Sequence, residues 1–280
     1  MGCSQGVAGM SWIKDYRLVN DLDEAVELLA RPGEGWTVLG GGSRLVAQRP
    51  PNVERLLDLL PLGLDRIEAR GDGALRLGAR VRLQGLADRD DRDGLLREAA
   101  LSLGHSLNLR NQMTLAGETA WPLAFSELQT AWVALDARVL RHGRPTKTAA
   151  EYLAESGRHG VITAIELPPV SGWRFGFHAV RAAESARPQL LLAAGARVVG
   201  GSIAESRLVY GRLGERPQRA RGLEARLVGA PALPLGLGSL ARLDREGLAL
   251  LSEPAIADET KWAWAAALLD EFLARLGTLR

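Results

Sequence analysis

Val38-Leu39-Gly40-Gly41-Gly42-Ser43-Arg44-Leu45-Val46 is the stretch on which the reading of this chain turns. Three consecutive glycines follow an apolar pair and precede a serine able to open a short helix. Such a run lets the backbone turn sharply and present several N–H groups in one direction, as a phosphate cradle requires. Its spacing is not that of the dinucleotide fingerprint, and it lacks the lysine-serine pair of a nucleoside-triphosphate loop. Taken by itself, the run equally suits a plain turn between a strand and the next element.

The flanking sequence supplies those elements. Asn20 or Asp21 can cap a helix through Asp23-Glu24-Ala25-Val26-Glu27-Leu28-Leu29, with acids in its first turn and Pro32-Gly33 closing it. Trp36 to Leu39 reads as the strand that enters the glycine loop. Beyond the Pro50-Pro51 break, Arg55 to Asp58 reads as a buried strand and Asp65 to Ala69 as another. Leu75, Leu77 and Ala79 alternate with Arg76 and Gly78 after the Gly71-Asp72-Gly73 turn, which is the period of a half-exposed strand. This region is a small α/β unit.

Further along, Asp93 to Leu103 has helical apolar spacing ended by Gly104. Leu109 to Ala120 is rich in turn-forming residues, and Ser126 to Leu135 is a largely apolar helix. Val139-Leu140 and Val161 to Leu167 read as strands around a short helix at Ala149 to Ala154. Trp173, Phe175 and Phe177 alternate with polar or small residues, and Leu190 to Val199 is an apolar run, so these two are expected to pair antiparallel. Arg207 to Tyr210 is a further strand, Ala220 to Leu227 a helix, and Ala230 to Gly238 irregular. In Glu259 to Leu276, Trp262, Ala265, Leu269, Phe272, Leu273 and Leu276 form one apolar stripe, the mark of a core-facing helix.

With 280 residues, 46% hydrophobic and 24% charged, the chain is large enough for two packed domains with real cores. Its net charge of +2 gives no nucleic-acid footprint. No apolar run approaches the ~20 residues that cross a bilayer, so no membrane partner is expected and the cytoplasm is the expected compartment. The one cysteine, Cys3, excludes an internal disulfide framework and any iron–sulfur cluster held by this chain alone. His105, His142, His159 and His178 lack metal-ligand spacing and read as surface or packing residues. No nucleophile–base set is present, so no catalytic or metal-binding side chain is assigned. Residues 1–9 are small and patternless; they are expected to be a disordered extension, with Met10 as a candidate start.

The order of these elements, a glycine loop first and Leu109-Arg110-Asn111-Gln112-Met113-Thr114-Leu115-Ala116-Gly117-Glu118 later, resembles the FAD-binding medium subunit of the molybdenum hydroxylases, the carbon monoxide dehydrogenase and xanthine dehydrogenase type. The resemblance runs from Trp12 to about Leu276. It implies an α+β chain: a PCMH-type FAD-binding domain over residues 10–171, made of a small α/β lobe and a larger mixed lobe dividing near residue 65. A carboxy-terminal α+β domain with an antiparallel sheet would follow over 172–280. It also implies FAD as cofactor, held between two loops: Leu39, Gly40, Gly41, Gly42, Ser43, Arg44 and Leu45 in the first, and Arg110, Thr114, Leu115, Ala116, Gly117 and Glu118 in the second. Glu127 falls where the family carries an aspartate that helps to hold the cofactor's polyol or adenosine portion, and Arg181 fits a family position.

The second loop departs from the family's usual Arg-Asn-x-Gly-Thr-Ile-Gly-Gly-Asn. If Ala116 takes the positive φ of the glycine it replaces, the strain is roughly 1–2 kcal/mol. A Glu118 carboxylate ~4 Å from a pyrophosphate oxygen is repelled by about 1 kcal/mol in water-like surroundings and about 4 at the effective dielectric of a protein surface. Together these weaken FAD by roughly two to four orders of magnitude, unless Glu118 turns to solvent or pairs with Arg44 or Arg110.

The resemblance therefore implies the flavoprotein subunit of a molybdenum hydroxylase. Electrons would pass from iron–sulfur centres of a small partner subunit, fed by a molybdenum-cofactor large subunit, through FAD to an external acceptor. The alternative is a diverged relative that has lost FAD and serves as a scaffold, with Trp121 and Phe125 filling the vacated pocket.

Overall fold

The computed structural model describes residues 12–89, 92–121, 126–155, 160–183, 186–233, 245 and 247–278. The extension at residues 1–9, Phe125, His159 and the stretch 234–238 lie outside the described residues.

The chain opens with β1 (Asp15–Leu18), α1 (Leu22–Ala30), β2 (Trp36–Leu39), α2 (Leu45–Gln48) and β3 (Arg55–Asp58). The strands form a parallel sheet in the order β1-β3-β2. Asp21 caps α1 by accepting from the Asp23 amide at 3.2 Å. One face of α1 then buries Ala25 and Leu28 against Val19, Leu57 and Leu59. Because the β2–β3 pairing is parallel, the chain must cross back over the sheet. The glycine run and α2 begin that crossing.

The middle of the chain comprises β4 (Ile67–Ala69), β5 (Leu75–Gly78), α3 (Leu83–Ala87), α4 (Leu95–Leu103), α5 (Leu107–Gln112), α6 (Leu115–Ala120), α7 (Glu127–Ala134), β6 (Arg138–Arg141), β7 (Lys147–Thr148), α8 (Ala149–Ala154) and β8 (Ile162–Leu167). Its five-stranded sheet runs β4-β5-β8-β6-β7, with every neighbour antiparallel. Thr148 and Glu151 form a reciprocal capping box that starts α8. Helix α7 is buried over its whole length, with Trp132 fully enclosed. The turn-rich expectation for Leu109 to Ala120 is corrected here. Ser106 and Thr114 accept from the Leu109 and Gly117 amides, so each opens a short helix that composition alone does not reveal.

The last sheet contains β9 (Trp173–Val180), β10 (Leu190–Val199), β11 (Ser202–Gly211) and β12 (Gln218–Arg219), in the order β12-β11-β10-β9 and antiparallel throughout. It is followed by α9 (Arg221–Leu227) and a long helix, α10 (Asp258–Thr278). Side chains alternate across β10. Leu191 and Ala193 join the core of the middle region, while Leu190, Leu192, Ala194 and Ala196 join a second core under α9 and α10. The alternating aromatics Phe175 and Phe177 belong to the first of these cores. The fold is mixed α+β.

Candidate cofactor site

The glycine run lies at the carboxyl end of β2, where a loop in a parallel sheet is well placed to meet a ligand. The three glycines are required for two reasons. A Cβ on Gly40 would stand 2.5 Å from Thr114 Oγ1, and one on Gly41 would stand 1.4 Å from the Gln112 carbonyl oxygen. Gly42 has φ +75°, in the left-handed region. The first two glycines therefore admit the second loop, and the third makes the turn.

Opposite them, the second loop is bonded onto the backbone that follows β5. The Leu83 amide donates to Met113 O at 3.0 Å, and the Leu115 and Ala116 amides donate to Val81 O and Ala79 O at 3.0 Å each. Arg82 Nη1 donates to Gln112 O at 2.7 Å. The amides at the start of α6 are thus already satisfied within the protein. By contrast, among the described residues the amides of Gly41, Gly42, Ser43 and Arg44 have no hydrogen-bond partner. Consecutive unclaimed donors on a glycine turn are the chemistry that receives a phosphate or pyrophosphate. On this side the residues fit the cofactor that the resemblance implies.

A cleft of about 730 Å³ opens over these donors. Its walls are the loop from Gly40 to Leu45, Thr114, Gly117, Glu118 and Trp121, faced by Val26 and Trp36 and by His142 and Arg144 beyond β6. A second cleft of about 350 Å³ shares Ser43 and Arg44 with the first and continues to Ser102, Met113, Glu127, Arg187 and Pro188. Both volumes are in the range of small-molecule and cofactor sites.

Between the two loops lies a buried ion pair. Arg44 Nε is 3.0 and 3.2 Å from the two Glu118 carboxylate oxygens, and Arg44 Nη2 is 2.6 Å from Oε2. The Glu118 side chain is 2% exposed and that of Arg44 is 19%. The strain expected at Ala116 is corrected, and of the alternatives open for Glu118 the pair with Arg44 is the one formed. Ala116 sits inside α6 and is not among the positive-φ residues, so the strain assigned to it does not arise. Glu118 is held by Arg44 rather than left facing a ligand unpaired.

The remaining site candidates are spread more widely. Leu39 flanks the loop and packs with Leu45, Val53 and Leu56. Leu115 is fully buried in the core of the middle region. Arg110 turns away from the first cleft, donating through Nε to Gln84 Oε1 at 2.6 Å and through Nη1 to Gly104 O at 2.7 Å. Glu127 reaches the second cleft, where Ser102 Oγ donates to it at 3.1 Å. Burial pushes its carboxyl pKa up, with the Ser102 bond and Arg181 opposing. Arg181 in turn donates through Nη2 to Ser102 Oγ.

Two contributors are missed by reading the sequence alone. Arg82 fixes the second loop, and Gln129 Nε2 lies 2.9, 3.3 and 2.7 Å from the carbonyls of Glu118, Thr119 and Trp121. A glutamine within an apolar helix is the one hint of the second role.

Residues 11–170 match the family described as "FAD binding domain in molybdopterin dehydrogenase". The chain is 34% identical over 143 residues to a protein of Escherichia coli K12 named "Uncharacterized protein YgfM", covering 51% of this chain and 54% of that one. It is 40% identical over 107 residues to the "Aldehyde oxidoreductase FAD-binding subunit PaoB" of the same organism, covering 36% of this chain and 33% of that one. The matched stretch is thus about half of YgfM and a third of PaoB. Among solved structures, a chain of reconstituted CO dehydrogenase from Oligotropha carboxidovorans superposes with TM-score 0.82 at 21% identity, over 95% of this chain and 98% of that one. A chain of quinoline 2-oxidoreductase from Pseudomonas putida 86 gives TM-score 0.82 at 22% identity, over 94% and 96%. At these identities the likeness is one of fold.

Proposed function

The chain belongs to the family of FAD-binding domains found in molybdopterin dehydrogenases, and from that premise we propose that it is the flavoprotein subunit of a molybdenum hydroxylase, relaying electrons from iron–sulfur centres of a partner to an external acceptor. The observation that carries this reading is the run of unclaimed amides from Gly41 to Arg44 beside a cleft of about 730 Å³. The cofactor, when bound, supplies the redox chemistry through its isoalloxazine ring. The residues of this chain bind and orient. The Gly41–Arg44 amides receive the pyrophosphate, the walls from Val26 and Trp36 to His142 and Arg144 enclose one end, and Ser102 with Glu127 borders the other.

In this reading the iron–sulfur centres and the molybdenum cofactor would be carried by a small and a large partner subunit, because a cluster needs several cysteine thiolates and this sequence holds one. In the scaffold alternative Trp121 and Phe125 could fill the vacated pocket, and Phe125 lies outside the described residues. Trp121 lines the first cleft and packs against the small core of Leu45, Val53 and Leu56, and the cleft keeps its volume.

The purified chain is expected to carry a flavin absorbance band or to quench the fluorescence of added FAD with saturation. A colourless protein that ignores excess FAD overturns the flavoprotein reading. Copurification with an iron–sulfur subunit and a molybdenum-cofactor subunit tests the assembly.

A further inference from the structure

The cation nearest the free amides is already engaged by the chain itself. Arg44 belongs to the same loop as those donors, and both its Nε and its Nη2 are turned onto the Glu118 carboxylate. This is the side-on, bidentate geometry with which a guanidinium also takes a phosphate. Glu118 is not a mobile side chain that happens to fall there. Its helix is pinned at the start by the Leu115 and Ala116 amides on Val81 and Ala79, and at the end by Gln129. Its carboxylate is a fixed, buried anion at the join of the two clefts, where Arg44 lines both.

We propose that Glu118 is an internal competitor for Arg44: it occupies, from within the protein, the anion position that a ligand's pyrophosphate would otherwise take, and so sets how tightly this chain holds its cofactor. The inference rests on the flavoprotein reading and deepens it. Loading requires Arg44 to be shared between two anions or released from one. The chain therefore holds FAD more weakly than its open cleft and free amides would allow. Because the competition is for charge, it discriminates ligands. An anionic dinucleotide feels it and riboflavin, which lacks phosphate, does not.

The test is FAD binding to the cofactor-free full chain, followed by quenching of flavin fluorescence at constant ionic strength, with circular dichroism as the check on folding. Glu118→Gln is expected to bind FAD at least tenfold more tightly than the unaltered chain, with riboflavin affinity unchanged. Glu118→Asn is a second variant with the same expectation, should the glutamine disturb the fold. In the Arg44→Gln background the gain is expected to vanish, because the competition acts through the guanidinium. Equal FAD affinity for the unaltered chain and both Glu118 variants overturns the proposal and leaves the flavoprotein reading standing. A gain that persists without Arg44 also overturns it. If none of the proteins binds FAD, the flavoprotein reading itself fails.

Discussion

Asp58 and Arg80 meet at 2.6 Å across the seam between the parallel sheet and the five-stranded sheet, both nearly excluded from water. Asp58 ends β3 and also accepts from Tyr16 Oη at 2.8 Å and from the Leu60 amide at 2.9 Å, so one carboxylate ties three segments together. Removing one partner of a buried pair leaves the other charge uncompensated, at a cost of roughly 3–5 kcal/mol. Asp58→Ala is therefore expected to lower the urea midpoint far more than Lys14→Ala, which breaks a solvent-exposed pair with Glu54. Equal effects would show that the seam does not depend on this contact.

Gly41→Ala drives a methyl group into the Gln112 carbonyl, whose oxygen would be 1.4 Å away. Backbone cannot yield as a flexible side chain does, so the two loops must part. Overpacking of this kind costs about 1–3 kcal/mol or more. Thermal unfolding should show the loss, and FAD binding should fall with it. Gly63→Ala offers a contrast, because nothing lies within 4 Å of that site and its penalty is limited to φ +61°.

Ala116→Gly restores the residue common in the family, yet it is expected to bring no gain in FAD affinity. Ala116 is helical and strain-free, so the substitution only loosens α6, by roughly 0.5–1 kcal/mol. Fluorescence titration of the variant beside the unaltered chain decides. A gain of tenfold would mean that the second loop takes a different backbone when loaded.

Gln129→Leu removes the donor that serves the carbonyls after Glu118. The Glu118 and Thr119 carbonyls then lose this donor, at about 1–3 kcal/mol. Hydrogen exchange should quicken in α6 before it does in α8. Uniform quickening would place Gln129 in global packing instead.

His178 gives the fold a dependence on acid. Burial holds its imidazole below the ordinary value of 6.5, while the Glu271 carboxylate, 3.2 Å from Nδ1, and Glu98 oppose the shift and Arg275 adds to it. Above the unfolded pKa its contribution is fully present. As pH falls, the unfolded chain takes up the proton first, and stability is lost toward the folded pKa. The urea midpoint should fall between pH 7 and pH 5, and His178→Gln should flatten that slope. An unchanged slope assigns the acid sensitivity to other groups.

Much of this architecture is legible in local sequence because local rules suffice. The strand at Trp36 to Leu39 and the short helix at Ala149 to Ala154 lie where the local pattern puts them, and the alternation from Trp173 to Phe177 matches its antiparallel pairing with β10. Strand β1 escapes notice, since Asp15-Tyr16-Arg17-Leu18 has an exposed, mostly polar pattern and owes its conformation to pairing with β3. Helices α5 and α6 escape it because their asparagine, threonine and glycine residues look like turns until the docking against Ala79 to Leu83 is known. The fate of Glu118 is of the same kind. Sequence offers solvent, Arg44 or Arg110 as its neighbour, and only the docking of loops 74 residues apart selects Arg44.

The contact of Gly41 with Gln112 also makes the cradle a product of long-range assembly. A fragment ending before Leu107 would contain the whole glycine run, yet nothing would face it. A ligand held there binds only the docked arrangement, so by linkage it stabilises the docking itself. Cofactor occupancy in this chain is then a reporter of whether its two loops have found each other, and flavin retention can be used to score folding as directly as any spectroscopic probe of secondary structure.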